Sequence, residues 1–104
     1  MAGAFQATAI VCVNDLIVIG VLKELHEQGI QVPKDMSVTG FDNIAYSEYI
    51  RPALTTVDIP RAEIGHLAFQ AMIGPRSSKI AAGREIVVDP ELVVRESTGP
   101  RKDA

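Results

Sequence analysis

One cysteine in 104 residues rules out an internal disulfide. Cys12 falls inside an apolar run, where a small core side chain in a reducing compartment is the simplest reading. Basic clusters are missing as well. The ten Lys and Arg residues are scattered and the formal net charge is −3, so the chain carries no phosphate-neutralising footprint for nucleic acid. Arg101-Lys102 is the one basic pair, in a polar tail expected to be disordered. The two histidines, His26 and His66, have no Cys or carboxylate at ligand spacing, so no metal and no cofactor is expected. Gly-x-Ser-x-Gly elbows and phosphate-binding glycine loops are both missing, which argues against an enzyme. Asp15 and Asp42 as an acid/base pair is the one catalytic alternative, and a helix N-cap role explains Asp15 more simply. The longest uncharged stretch, residues 2–14, carries Gln6, Thr8 and Asn14 and is too short and polar to span a bilayer. The first residues lack the charged region and apolar stretch of a secretory signal. A cytoplasmic chain with no membrane partner is the resulting expectation.

What is present reads as an α/β domain with one core. Thr8-Ala9-Ile10-Val11-Cys12-Val13 has the β-branched, apolar character of a strand covered on both faces. A helical pattern follows from Leu16 to Gln28, with Asn14 or Asp15 as its N-cap and Gly29 as its left-handed stop. Its Ile17, Val18, Val21, Leu22 and Leu25 share one face for the sheet. Leu16 and Ile19 lie opposite, next to Gly20, and need another cover, a neighbouring loop or a second subunit. After a connection through Pro33, Met36 to Phe41 reads as a second strand. An irregular stretch from Asn43 to Pro52 follows, then a third strand at Leu54-Thr55-Thr56-Val57. Pro60 suits the first turn of a helix from Arg61 to about Ile73, ended by Gly74-Pro75, with Ile64, Leu67, Ala68, Ala71 and Met72 as its buried stripe. Residues 76–83 read as a mobile loop, and Glu85-Ile86-Val87-Val88 and Leu92-Val93-Val94 as final strand-like runs. So few strands would leave one sheet face bare.

Two polar clusters carry the functional expectation. Asn14 and Asp42 each stand where an apolar strand runs out, and in an open parallel sheet ligands bind beyond the carboxyl ends of the strands. An amide beside a carboxylate offers donors and acceptors to a polyhydroxylated or nitrogenous small molecule. Each has a plainer alternative: Asn14 as a helix cap, Asp42 as a turn former.

The strings Thr8-Ala9-Ile10-Val11-Cys12-Val13-Asn14-Asp15, Glu27-Gln28-Gly29-Ile30, Val32-Pro33-Lys34-Asp35, Ser37-Val38-Thr39-Gly40-Phe41-Asp42-Asn43, Pro52-Ala53-Leu54-Thr55-Thr56-Val57 and Glu91-Leu92-Val93-Val94-Arg95-Glu96-Ser97-Thr98 occur in order. Together they resemble the lactose/galactose-repressor (LacI/GalR) family of bacterial transcription regulators. The resemblance implies a doubly wound parallel α/β sheet of the type I periplasmic-binding-protein kind, two subdomains joined by three strands with an effector between them. It implies that residues 1–104 are a partial effector-binding domain, mainly C-subdomain: 7–58 in that subdomain, 60–75 a helix crossing to the N-subdomain, 84–98 the return strands. DNA would be reached only through an N-terminal helix-turn-helix absent from this chain, so Met1 to Gln6 reads as the start of a truncated product.

By the same resemblance, Asn14 matches an asparagine that hydrogen-bonds sugar hydroxyls, and Asp42 an aspartate that contacts sugar and purine effectors. Phe41 occupies the family's aromatic position before that aspartate, as a wall or core residue rather than a stacking platform. Ile59 departs from a glutamine found in the lactose repressor, which implies a more apolar lip. The first helix implies a homodimer contact through Leu16, Ile19, Gly20 and Lys23. The reading is a non-catalytic sensor of a sugar or related small metabolite, coupled through a hinge to the missing DNA-binding head. A periplasmic sugar-binding protein of the same fold is the alternative. Alone, these residues are expected to expose a sheet edge, to self-associate, and to bind effector poorly.

Overall fold

The computed structural model describes residues 6–73 and 85–103. In chain order the elements are β1 (Ala9–Val11), α1 (Asp15–Glu27), β2 (Ser37–Thr39), a 3₁₀ turn (Ala45–Glu48), β3 (Thr56–Asp58), α2 (Arg61–Ile73) and β4 (Glu91–Val93). The chain forms two compact units, Met1–Asp58 with Glu91–Ala104, and Ile59–Pro90.

In the first unit β1 and β2 pair in parallel, Ile10 opposite Val38, as two strands joined by a crossover helix must. Hydrogen bonds extend that ladder beyond the strands proper: Ser37 N–H to Thr8 C=O, Cys12 N–H to Thr39 C=O and Asp15 N–H to Phe41 C=O, each close to 3 Å. On its other side the second strand runs parallel to the third, with Gly40 N–H on Thr55 C=O and Asp42 N–H on Val57 C=O. β4 adds antiparallel to β3, Thr56 opposite Val93. The three expected parallel runs are therefore present.

Local chemistry sets the limits of α1. Asn14, in extended conformation, accepts the Ile17 N–H on its side-chain oxygen and is the N-cap. At the other end Gly29 (φ 74°) lets Ile30 N–H reach Leu25 C=O and Gly29 N–H reach His26 C=O, a Schellman closure. The face so positioned supplies Val18 and Leu25 to a core shared with Cys12, Val38 and Leu54. Val21, Leu22, Ile10, Ile30, Val32, Met36 and Ile50 pack around it. Each fully buried aliphatic side chain contributes about 1.5–3 kcal/mol.

Residues 95–98 close this unit from the far end of the chain. Ser97, fully buried, donates to Val38 C=O (2.6 Å), accepts Thr55 N–H (2.8 Å), and its carbonyl takes Val38 N–H. Thr98 and Thr55 share a hydroxyl hydrogen bond, and Glu96 N–H bonds Ala53 C=O. This segment thus bridges β2 at Val38 to Thr55, just before β3.

In the second unit α2 starts after Pro60, whose carbonyl accepts Ile64 N–H. Ile64, Leu67, Ala68 and Ala71 line an open groove of about 320 Å³ with Ile86 and Val88.

Several expectations need correction. Asp15 is not the cap but lies wholly inside. Ile17, placed on the core face, is half exposed, because three residues after the cap it sits at the rim. The α2 stripe groups as expected but is not buried, with Met72 74% exposed, since too little described chain lies against it. Among the described residues of the expected return strands at 84–98, Glu91–Val93 is a strand, and residues 85–90 have no ladder partner among the described residues. The tail is not disordered: Lys102 pairs with Asp35 at 2.8 Å, and Gly99 N–H bonds the Ser37 hydroxyl. The irregular stretch holds the 3₁₀ turn. The loop at 76–83, the stop at Gly74-Pro75 and residues 1–5 lie outside the described residues.

Candidate functional site

Asn14 and Asp42 stand at the carboxyl ends of adjacent parallel strands. The hydrogen bond from Asp15 N–H to Phe41 C=O joins the chain between them, so both belong to one rim. Asn14 uses its side-chain oxygen for the cap, and its amide N–H donors meet no hydrogen-bond partner among the described residues. The Asp42 carboxylate, half buried, likewise forms no side-chain hydrogen bond among them. Phe41 beside it is 40% exposed. A rim that offers an uncommitted carboxylate, amide donors and an aromatic edge can hold a polar small molecule through directional bonds.

Backbone strain collects at the same place. Asp42 (φ 116°) and Asn43 (φ 54°) are consecutive non-glycine residues in the left-handed half of the map. Asp and Asn tolerate it better than other side chains, but such conformations persist only where their surroundings impose them.

Those surroundings centre on Asp15. Its carboxylate accepts Ile44 N–H (3.0 Å), the Thr56 hydroxyl (2.7 Å) and the Ser47 hydroxyl. A charge removed from water is tolerable only with such a set of donors. Gly40 is the matching residue: a Cβ there would fall 2.1 Å from Asp15 Oδ1, so only glycine leaves room. Asn43 adds a second layer, its N–H on the Thr56 hydroxyl (3.3 Å), its amide donating to Asp58 (3.1 Å) and accepting from Arg95 (2.9 Å).

Sequence singles out none of Asn43, Thr56 and Arg95, and reads Asp15 only as an N-cap or as half of an acid/base pair. Their partners lie 13 to 52 residues away, beyond any local pattern. Gly40 directly before Phe41-Asp42 was the available signal.

The other candidates lie elsewhere. Leu16 (67%), Ile19 (41%) and the Lys23 side chain are exposed on α1, and nothing stands within 4 Å of a Cβ at Gly20. A hollow of about 390 Å³ joins Ile19, Lys23 and Leu22 to Ile50 and Arg51. Another hollow, about 520 Å³, lies at the C-terminal end of α1 between His26, Lys34 and Arg51, and includes neither Asn14 nor Asp42. Cys12 is buried and desolvation raises its thiol pKa, which fits an inert core residue. Among the described residues no cluster of three metal-ligating side chains occurs, and no helix is long and apolar enough to cross a membrane.

Residues 2–98 match the family described as the periplasmic binding protein-like domain. The HTH-type transcriptional repressor PurR of Vibrio cholerae is 39% identical over 92 residues, which span 88% of this chain and 27% of that protein. The ribose operon repressor of Haemophilus influenzae is 34% identical over 92 residues, spanning 88% of this chain and 28% of its own length. A LacI family transcriptional regulator from Enterococcus faecium, solved with bound ribose, superposes with a TM-score of 0.79 at 32% identity, covering 94% of this chain and 37% of that one. Another, from an Arthrobacter species in complex with lactose, gives 0.75 at 31%, covering 90% and 36%. The chain thus spans little more than a quarter of the repressors it matches.

Proposed function

The chain belongs to the periplasmic binding protein-like domain family, in its lactose/galactose-repressor branch, and from that membership we propose that it forms one wall of an effector-sensing cleft in a bacterial transcription regulator. The effector is a sugar or related small metabolite. Asn14 donates to it, Asp42 accepts from its hydroxyl or N–H groups, and Phe41 closes one side. The observation that supports this reading is the Asp15–Phe41 backbone bond, beside which stand the Asn14 amide N–H donors and the Asp42 carboxylate, neither of them hydrogen-bonded among the described residues. Relatives that are repressors, and similar regulators holding ribose and lactose, support it over a periplasmic binding protein.

In this reading residues 7–58 belong to one subdomain, the helix of 60–75 crosses to the other, and 84–98 return. Binding favours the closed arrangement of the two, and a helix-turn-helix outside this chain reads the result on DNA. No reaction is catalysed, and the protein works in the cytoplasm. The exposed α1 face of Leu16, Ile19, Gly20 and Lys23 pairs with its copy in a homodimer.

Isothermal titration of the full-length protein against pentoses, hexoses and purines tests the proposal. At least one compound is expected to bind, and Asp42→Ala to weaken it at least about tenfold, since a hydrogen bond to a charged group is worth about 1.5–3 kcal/mol. Silence with every compound, or unchanged affinity in Asp42→Ala, refutes it.

A further inference from the structure

The unit Ile59–Pro90 is connected to the rest of the chain at two places only, after Asp58 and before Glu91. Asn43 is bonded to the residue that precedes the first and to Arg95, four residues past Glu91 at the second. Its amide N–H donates to the Asp58 carboxylate at the first (3.1 Å). Its amide oxygen accepts from Arg95 Nη2 just beyond β4 at the second (2.9 Å). The other prong of that guanidinium holds Leu54 C=O (3.0 Å), and the Arg95 N–H holds the Thr55 hydroxyl (2.9 Å). Asn43 thus ties Asp58 to Arg95 within the first unit, and it shares a peptide bond with Asp42.

We propose that Asn43 is a positioning residue that links what happens at Asp42 to the geometry of the two crossing segments. The proposal rests on the reading that Asp42 meets the effector. Residues 42 and 43 are both at positive φ, so neither relaxes without the other. A ligand that restrains the Asp42 carboxylate restrains the shared peptide. The Asn43 amide, clamped between Asp58 and Arg95, passes that restraint to both connections at once. A ligand shifts an equilibrium only through contacts that differ between its states, and this amide supplies such a contact outside the cleft. The alternative is that Asn43 merely fills a left-handed position, in which case its side chain is dispensable.

A mutant cycle in the ligand-free full-length protein separates the two. Asn43→Gly keeps the backbone conformation and removes only the amide. Arg95→Lys keeps the charge but loses the fork that reaches Leu54 and Asn43 together. Amide hydrogen exchange is read at residues 56–60 and 91–95, in each background, with and without Asp42→Gly. With Asn43 intact, Asp42→Gly is expected to change exchange at both crossings by about threefold to thirtyfold, the range of measured long-range couplings. In Asn43→Gly or Arg95→Lys the same change should fall below about twofold. An equal response with and without the amide overturns the proposal, and so does no response in any background. Because no effector is used, titrations silent for every compound would refute the sensor reading while leaving this linkage to stand or fall by itself.

Discussion

Replacing Gly40 by alanine tests the buried centre of the site through a single methyl group. That methyl would lie 2.1 Å from Asp15 Oδ1 and 3.1 Å from Leu54 Cδ2. The carboxylate has nowhere to go: it is fully buried and held by Ile44, Ser47 and Thr56. Retreat sacrifices at least one hydrogen bond to a charged acceptor, about 1.5–3 kcal/mol, and crowding of Leu54 adds about 1–3 kcal/mol. A loss of about 2.5–6 kcal/mol is a large share of the roughly 5–15 kcal/mol of a typical domain. With a urea slope of about 1–3 kcal/mol per molar, the unfolding midpoint by circular dichroism should fall by about 2 M. Two controls sharpen the test. Gly20→Ala, in a helix with nothing within 4 Å, should instead stabilise by about 0.5–1 kcal/mol. In an Asp15→Ala background, itself strongly destabilised, Gly40→Ala should cost only the crowding of Leu54, about 1–3 kcal/mol, because the clashing oxygen is gone. Additive effects of the two substitutions, within about 0.5 kcal/mol, would refute this account of why glycine stands at 40.

Two further outcomes are expected. The Lys102 hydrogen bond, helped by Gln31 N–H, holds the Asp35 carboxyl below its ordinary range. Its stabilising share is therefore present above the ordinary carboxylate pKa and fades as pH falls through the lowered value. Lys102→Ala should move the Asp35 titration upward in carboxyl-carbon NMR, and an unmoved curve would count against the pair. Cys12, buried and raised in pKa, should react with an aromatic disulfide reagent at pH 8 at least about 100-fold more slowly in the folded protein than in urea. Equal rates would mean that the core around it is open.

The parts of this fold legible in the sequence are those whose causes are local. Asn14 and Gly29 announce the ends of α1 through caps that involve only neighbours within five residues. Pro60 marks the start of α2, and the apolar runs mark the three parallel strands. Asp15 shows the opposite case. Seen locally it belongs to a helix's first turn, and only the return of the chain at Ile44, Ser47 and Thr56 makes it a buried hub. The α2 stripe was correctly grouped yet misjudged as buried, because periodicity identifies a face but not what covers it. Lys102 looked like a free tail because its partner, Asp35, is 67 residues earlier. The expectation of a rim pair at Asn14 and Asp42 rests on a different kind of signal: the end of an apolar strand is local, and the fold class says that neighbouring strand ends share a crevice.

The insertion of Ser97 between the second and third strands has a consequence for synthesis. A ribosome delivers residue 58 well before residue 97, and everything from Ile59 to Pro90 is made in between. Until the serine emerges, Val38 C=O and Thr55 N–H lack their native partner and the nascent sheet has an open seam. At about 5–20 residues per second that interval lasts seconds, long enough for a holding chaperone to engage. Of these two units, the one begun earlier is the one finished later.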